Sequence, residues 1–379
     1  MVPGPHQDSV TASPEAASVL STFVAAVDAY GPTCIAPDTT PDAPPPVRKP
    51  GRDALSICVL EEYGLLSVLG PDARPFLNAQ TTNDVLKLAD DGVQLDGYCT
   101  PKGRLLASFI EWPSPDGIYL AIARELAPPI AKRLSTYVFR SKLKVRDESS
   151  IWMALGLQGS AVAGALSRLG MSMPAPWQHV RHENRTALSL PNIASDDAPP
   201  EPRVMLWIAR TEFEQVYRLL EGTWVSTQSW RAAEIEAGMP RIVAASSELF
   251  VPQMLNFDLI NAVNFKKGCY PGQEIVARSH YLGKLKRRML KGSTGLLPLP
   301  GDDVHAPGAS PGSLVPVGKV VMAAARPGRA QPFVLLMELQ LAHADSSELT
   351  VGGAAITLEA LPYAFPVEDP SARPAQRMV

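Results

Sequence analysis

Cysteine is scarce: four residues in 379, at positions 34, 58, 99 and 269. No two have CxxC spacing, and no histidine stands at ligand spacing from any of them. No structural zinc site, and no other stably bound metal, is expected. So sparse a set also argues against a disulfide framework. Long apolar runs are missing as well; no stretch is long and apolar enough for a membrane-spanning helix. Positive charge is absent from residues 1–47, which hold Asp8, Glu15, Asp28, Asp38 and Asp42 but no Lys or Arg. That leader has neither the cationic start of a secretory signal nor the Arg-rich character of a mitochondrial transit peptide. A cytoplasmic location is the expectation.

What is present indicates a globular body. Hydrophobic residues make up 46% and charged residues 19%, enough apolar mass for a sizeable core. The length suggests two or three domains. The 37 prolines are unevenly spread, with ten in residues 1–50 and eleven in 283–379. The chain therefore reads as a Pro-rich leader, an ordinary body and a turn-rich C-terminal part. Residues 14–30 could form one amphipathic helix, followed by an extended polyproline-type linker. The formal charge of −3 is owed to the leader; without it, 35 basic residues face 33 acidic ones, a net +2.

Hydrophobic periodicity gives an α+β element order. Residues 56–69 read as a hairpin turning at Glu61–Gly64. Asp72 can cap a short helix, ARPFLNAQTT. Leu95–Tyr98 and Arg104–Trp112 read as strands on either side of Pro101-Lys102-Gly103, and Ile118–Ala123 as another. Residues 125–139 read as a helix, and Leu143–Asp147 as an edge-like strand. A second unit repeats the theme with strand Trp152–Gln158, helix Ala161–Leu169, a polar Pro-rich excursion at 174–202, strand Arg203–Ala209 and helix Glu212–Leu220. Residues 228–238 form a helix stopped by Gly238. Past 283, Leu285–Leu290, Gly318–Ala323, Pro332–Leu339, Glu348–Val351 and Ala354–Leu358 read as short strands of a small antiparallel barrel.

Residues 264–283, NFKKGCYPGQEIVARSHYLG, carry the chemistry. Gly268 and Gly272 bracket Cys269-Tyr270-Pro271, so a tight bend holds its side chains on display. Between Asn261 and Lys291 lie eight Lys or Arg residues and one acid, Glu274. A thiol among cations has its thiolate favoured, so Cys269 is expected to be reactive. The plainer alternative is a buried apolar filler beside a solvated basic face. In the strand LGKLKRRML, Lys284, Lys286 and Arg288 are expected to point outward. That strip suits a polyanionic small molecule or nucleic-acid phosphates.

KKGCYPGQEIVAR followed by YLGKLKRR resembles the signature of the YgfZ family. These are folate-binding iron–sulfur cluster assembly and repair proteins, related to the T-protein (aminomethyltransferase) of the glycine cleavage system. VPQMLNFD, FLNAQTTNDV at 76–85 and TPKGRLLASF at 100–109 resemble further family segments. The likeness covers roughly residues 53–365. It implies an α+β, three-domain T-protein-like ring around a central folate channel, ending in an antiparallel β-barrel. The implied units are a folate-binding domain (53–150 completed by 226–282), a second α+β domain (151–225) and the barrel (283–365); outside the likeness stand the Pro-rich acidic leader (1–52), expected to be disordered, and a tail (366–379). Carried over residue by residue are Lys267, Gly268, Cys269, Tyr270, Gly272, Gln273, Glu274 and Arg278. Cys269 is the expected reactive group and Lys267 its electrostatic partner. Tyr270, Gln273, Glu274 and Arg278, with Asn83, Lys102 and Arg104, are candidates for holding tetrahydrofolate or a one-carbon derivative.

One departure matters. In aminomethyltransferases the segment matching KGRLLASF carries the aspartate that serves the transfer. Here Leu105, Leu106, Ala107 and Ser108 supply no carboxylate, so a proton-moving group is missing there. The leading expectation is therefore a tetrahydrofolate-binding accessory protein whose partners are iron–sulfur client enzymes or assembly factors. One thiolate cannot hold a cluster alone, so a transient role for Cys269 is expected. The alternatives are a folate-dependent aminomethyl or one-carbon transferase and a tRNA-modification-related protein. A nucleic-acid partner ranks last, given the near-neutral body. No membrane partner is expected, and a monomer is.

Overall fold

A computed structural model describes residues 55–193, 201–281, 285–326 and 329–365. The leader helix, the linker and the tail lie outside these residues. Three β systems follow one another: a five-stranded sheet, a six-stranded sheet and a closed six-stranded barrel.

The chain enters through β1 (Ser56–Val59) and β2 (Tyr63–Leu69). These do not form the expected hairpin. β1 pairs with β7 (Trp152–Gln158) and runs parallel to β11 (Thr223–Trp224), whereas β2 lies between β5 (Gly117–Ala123) and β6 (Lys144–Asp147). The turn at Leu60–Glu62 thus hands the chain from one sheet to another. Side-chain alternation explains it: Leu55, Ile57 and Val59 pack in the core of the second unit, and Cys58 and Leu60 in that of the first. Glu61 and Glu62 are not solvated turn residues. Glu61 is ion-paired to Arg124 and Arg210, and Glu62 to Arg231 and Arg241.

The five-stranded sheet has the order β3-β4-β5-β2-β6, with β3 at Gln94–Cys99 and β4 at Leu105–Ser114. Helix α1 (Ala73–Asn78) buries Phe76 and Leu77, and helix α2 (Ala127–Ser135) buries Ile130, Ala131 and Leu134. β6 is the sheet's edge, as its alternation suggested.

The six-stranded sheet has the order β11-β1-β7-β10-β9-β8 and carries helices α3 (Val162–Arg168) and α4 (Phe213–Leu219). The supposed polar excursion contains two of its strands, β8 (His179–His182) and β9 (Arg185–Ile193), the latter leading to β10 (Glu201–Ala209). Ala187, Leu188 and Leu190 are fully buried. The polar composition of the edge strand β8 hid this hairpin.

Helix α5 (Thr227–Glu236) returns to the first unit, and Gly238 at φ +64° ends it as expected. The barrel closes in the order β12-β15-β14-β13-β16-β17. Its strands are β12 (Arg287–Thr294), β13 (Asp303–Pro307), β14 (Leu314–Ala325), β15 (Phe333–Gln340), β16 (Thr350–Val351) and β17 (Ala354–Glu359). β13 was not among the expected strands. Val304, Val320, Leu335, Met337 and Leu339 fill the barrel, while Met289, Met322 and Leu336 face the core of the first unit. Glu236 of α5, bonded to Lys291 and Arg326, ties the two together, and Arg326 also holds Glu359.

Arg288 overturns one expectation. It is 6% exposed and pairs with both oxygens of Asp258, at 2.6 and 2.9 Å. Both sides of β12 are covered, one by the barrel interior and one by the body core, so no outward face remains here for its cation. Lys286 is exposed, as expected; Lys284 lies outside the described residues.

Candidate functional site

The motif segment runs over the edge of the five-stranded sheet and enters helix α6 (Gln273–Tyr281). Its position is set by backbone contacts that leave no room for side chains. At Gly272 (φ +83°) a Cβ would stand 2.4 Å from Thr100 O and 2.7 Å from Gly103 Cα. The Pro101–Gly103 turn is therefore pressed against the start of α6. Gln253 adds a second anchor, its Nε2 donating to Val276 O at 2.6 Å.

Lys267 is the third anchor. Its Nζ donates to Thr81 O at 2.7 Å and to Asn83 O, and lies 5.2 Å from the centre of the Tyr270 ring. Burial pulls its pKa down, opposed by Asp96, Glu111 and Asp84. Lys267 thus faces the acids of the sheet, and the Cys269 thiol is not among its hydrogen-bond partners. Cys269 itself is exposed, whereas Cys58 and Cys99 are buried. Burial pushes the Cys99 thiol well above its usual range. Tyr270 is buried, and its hydroxyl is likewise pushed up by burial.

The other candidates divide. Asn83 is committed to the fold: Nδ2 donates to Leu95 O and Asn261 O at 2.8 and 2.7 Å, and Oδ1 accepts from Asp84 N. Gln273 Nε2 reaches Lys267 O at 3.4 Å and braces the bend. Arg104 spends its guanidinium on Leu249 O at 2.6 Å. Lys102 is exposed on the turn beside α6, and Glu274 and Arg278 are exposed on the helix. The structure therefore joins Asn83, Lys267, Tyr270 and Gln273 into one brace beneath Cys269. It leaves Lys102, Arg104, Glu274 and Arg278 at the surface.

Behind this brace lies a set of buried polar groups that local sequence pattern does not announce. Asp96 and Glu111 are both fully buried on adjacent strands. Asp96 Oδ1 accepts from Asn83 N at 2.7 Å and Gly97 N at 2.6 Å, while Oδ2 has no hydrogen-bond partner. Burial raises the pKa of Asp96 despite Lys267. Burial, then the charge of Asp96, raises that of Glu111 further. The segment after Lys102 does lack a carboxylate, but the site does not. Asp96 on β3, opposite Phe109, supplies one from the neighbouring strand. The signal was an acid set among apolar strand residues, Leu95-Asp96-Gly97-Tyr98 and Ile110-Glu111-Trp112.

Asp96, Ser108, Phe257, Tyr63, Glu234 and Arg241 line a small cavity between the five-stranded sheet and the return segment. It has room for about one water molecule. Tyr63 Oη donates to Glu234 Oε1, and Glu234 Oε2 has no hydrogen-bond partner. Burial raises the pKa of Glu234 and of Tyr63. Burial works against the Arg241 cation, but Glu62 at 2.6 Å outweighs it and holds the charge. Arg241 Nε and Nη1 are unpartnered. The wall therefore holds an unpartnered oxygen on Asp96, an oxygen of Glu234 ion-paired to Arg241 Nη2 at 3.8 Å, and unpartnered donors on Arg241. Such a set suits a flat ring with alternating amine and carbonyl groups, such as a pterin. The cavity as it stands admits such a ring only if its lining side chains move apart.

Among the described residues, no group of three or more His, Cys, Asp or Glu is placed to hold a metal ion. No helix among them is long and apolar enough to cross a membrane.

No family model matches the sequence. Over 269 residues the chain is 31% identical to the tRNA-modifying protein YgfZ of Escherichia coli, covering 69% of this chain and 80% of that protein. The tRNA-modifying protein YgfZ of Photorhabdus laumondii is 33% identical over 256 residues, 66% of this chain and 75% of that one. Among solved structures, the glycine cleavage system aminomethyltransferase T from Bartonella henselae matches with a TM-score of 0.66. That match covers 82% of this chain and 86% of that one at 16% identity, a likeness of fold.

Proposed function

The chain belongs to the YgfZ family, and from that premise we propose that it is a tetrahydrofolate-binding accessory factor for iron–sulfur enzymes, those of transfer-RNA modification among them. Cys269 is the working group. The observation that carries this reading is the contrast among the described thiols: two are buried, and the third stands exposed on a bend braced from three sides. A cysteine sulfur presented this way can lend itself to an incoming cluster or its iron and be withdrawn again. It cannot retain a cluster, because clusters are commonly held by four cysteines. The iron–sulfur cluster is thus cargo belonging to a client.

Folate, when bound, supplies one-carbon chemistry beside the site. Once the lining side chains part, Asp96, Glu234 and Arg241 would offer hydrogen-bond partners to its pterin edge. Lys102, exposed at the turn beside α6, is the candidate partner for the glutamate tail.

A second reading has one specific observation in its favour. Asp96 presents an unpartnered oxygen in the cavity wall, so a one-carbon transferase on a small amine retains a possible acid or base. Cys269→Ser, placed in a strain lacking its own copy, separates the two. The accessory reading expects loss of iron–sulfur enzyme activity and of the modified nucleosides that depend on it, with folate affinity by calorimetry unchanged. Full activity in the Cys269→Ser strain would sink the thiol role. Tetrahydrofolate-dependent turnover of an aminomethyl donor by that variant would instead establish the transferase.

A further inference from the structure

Between Lys132 and Arg146 stand six Lys or Arg residues and no acid. Helix α2 ends inside this stretch, and edge strand β6 closes it. Five of the six cations, Lys132, Arg140, Lys142, Lys144 and Arg146, are exposed. None of the five forms a salt bridge among the described residues. The body carries little net charge, yet cations dominate this face, with Asp72 under Lys142 and exposed Asp147 at the end of β6 as acids beside them.

Two aromatic rings stand among the cations. Tyr137 is 41% exposed and Phe139 86%. Phe139 also adopts φ +37°, a region that disfavours every residue but glycine. The turn that displays it is tied down. Lys142 N donates to Asp72 Oδ2 at 2.6 Å, Ser141 N donates to Val138 O at 2.8 Å, and Val138 and Leu143 pack against the core. An apolar ring held almost fully in water on an anchored turn needs a reason, which ordinary folding does not give.

We propose that this face binds single-stranded RNA, with Phe139 and Tyr137 stacking on unpaired bases and Lys142, Lys144 and Arg146 following the phosphates. In β6, Val145 packs inward while Lys144 and Arg146 are exposed. Alternate cations therefore line one edge about 7 Å apart. Interleaved aromatic and basic side chains along a strand edge suit a strand of nucleotides with splayed bases. A membrane surface would call for a broad apolar helix face, and the apolar face of α2 is already buried in the core. The choice of RNA over DNA rests on the proposed role in transfer-RNA modification. The face itself does not involve Cys269.

The test is fluorescence anisotropy of a labelled oligouridylate with the full chain, titrated at several salt concentrations. Phe139→Ala is expected to weaken binding about fivefold or more at fixed salt, with Phe139→Tyr close to the native protein. Alanine at 142, 144 and 146 together is expected to flatten the slope of log affinity against log salt by about 2. Cys269→Ser is expected to bind like the native protein, so this proposal and the thiol role fail separately. The proposal is overturned if the native chain does not bind the oligouridylate or if the two patch variants bind it unchanged. It is also overturned if oligodeoxythymidylate or phosphatidylserine vesicles bind the same face as tightly.

Discussion

Replacing Lys267 by methionine keeps the aliphatic stem and removes the charge. Two carbonyls, Thr81 O and Asn83 O, then lose a charged donor. More consequentially, buried Asp96 and Glu111 lose the cation that opposes their burial. A hydrogen bond to a charged group is worth about 1.5–3 kcal/mol, and breaking a buried ion pair costs about 3–5 kcal/mol. Desolvation of the half-buried lysine offsets part of this, so a net loss of about 3 kcal/mol is expected at about pH 8. The sign of the pH dependence follows from the direction of the shifts. Both acids have folded pKa values raised above their unfolded ones. Such groups favour the fold below the unfolded value, and that stability is lost as pH rises through the folded value. Removing the cation raises both further, so the deficit of Lys267→Met should grow between about pH 5 and about pH 8. Urea unfolding followed through buried Trp112, Trp207 and Trp230 reads it directly. Adding Glu111→Gln removes the second buried acid that Lys267 opposes beside Asp96, and the double variant should recover about 1 kcal/mol or more relative to additivity. An equal deficit at both pH values, or strict additivity, would refute the reasoning.

Three further outcomes are expected. Gly272→Ala forces a Cβ into Thr100 O and a side chain into φ +83°; it should cost about 1–3 kcal/mol and move the brace, seen as faster hydrogen exchange at Val276 N, which donates to Gly272 O. Alkylation of the native protein with iodoacetamide, mapped by mass spectrometry, should modify Cys269 long before Cys58 or Cys99; comparable labelling of the buried pair would contradict their burial. Arg288→Met strands Asp258 beside the barrel and should lower stability by about 3–5 kcal/mol, measured by urea unfolding; Asp258→Asn in the same background should return part of it.

Elements governed by local pattern were legible in the sequence. Trp152–Gln158 is a strand at the expected bounds, and the strands around Pro101–Gly103 lie within a residue or two of theirs. Gly238 ended its helix because that position needs a left-handed backbone. Pairing across long separations was not legible. Nothing near residues 56–59 says that their partners lie at 155–158 and 223–224. The motif was likewise visible as a string, but not the role of Lys267, which depends on carbonyls and acids from strands far upstream. Asp96 and Glu111 looked like ordinary acids; only their flanking apolar residues hinted that water was excluded. For Arg288 the alternation is real, but one sequence does not show that a second layer covers the strand's other face.

The shared strand β1 has a consequence for synthesis. Ser56 pairs with Gln158, so about a hundred residues must leave the ribosome before the neighbour of β1 exists. At usual elongation rates that is about 5–20 s. Through that interval Ser56–Val59 is an apolar strand with two open edges, the kind of segment that pairs with the wrong chain. The first unit cannot finish before the second has begun. Nascent chains stalled before residue 158 should therefore depend on chaperones, and released fragments ending there should aggregate.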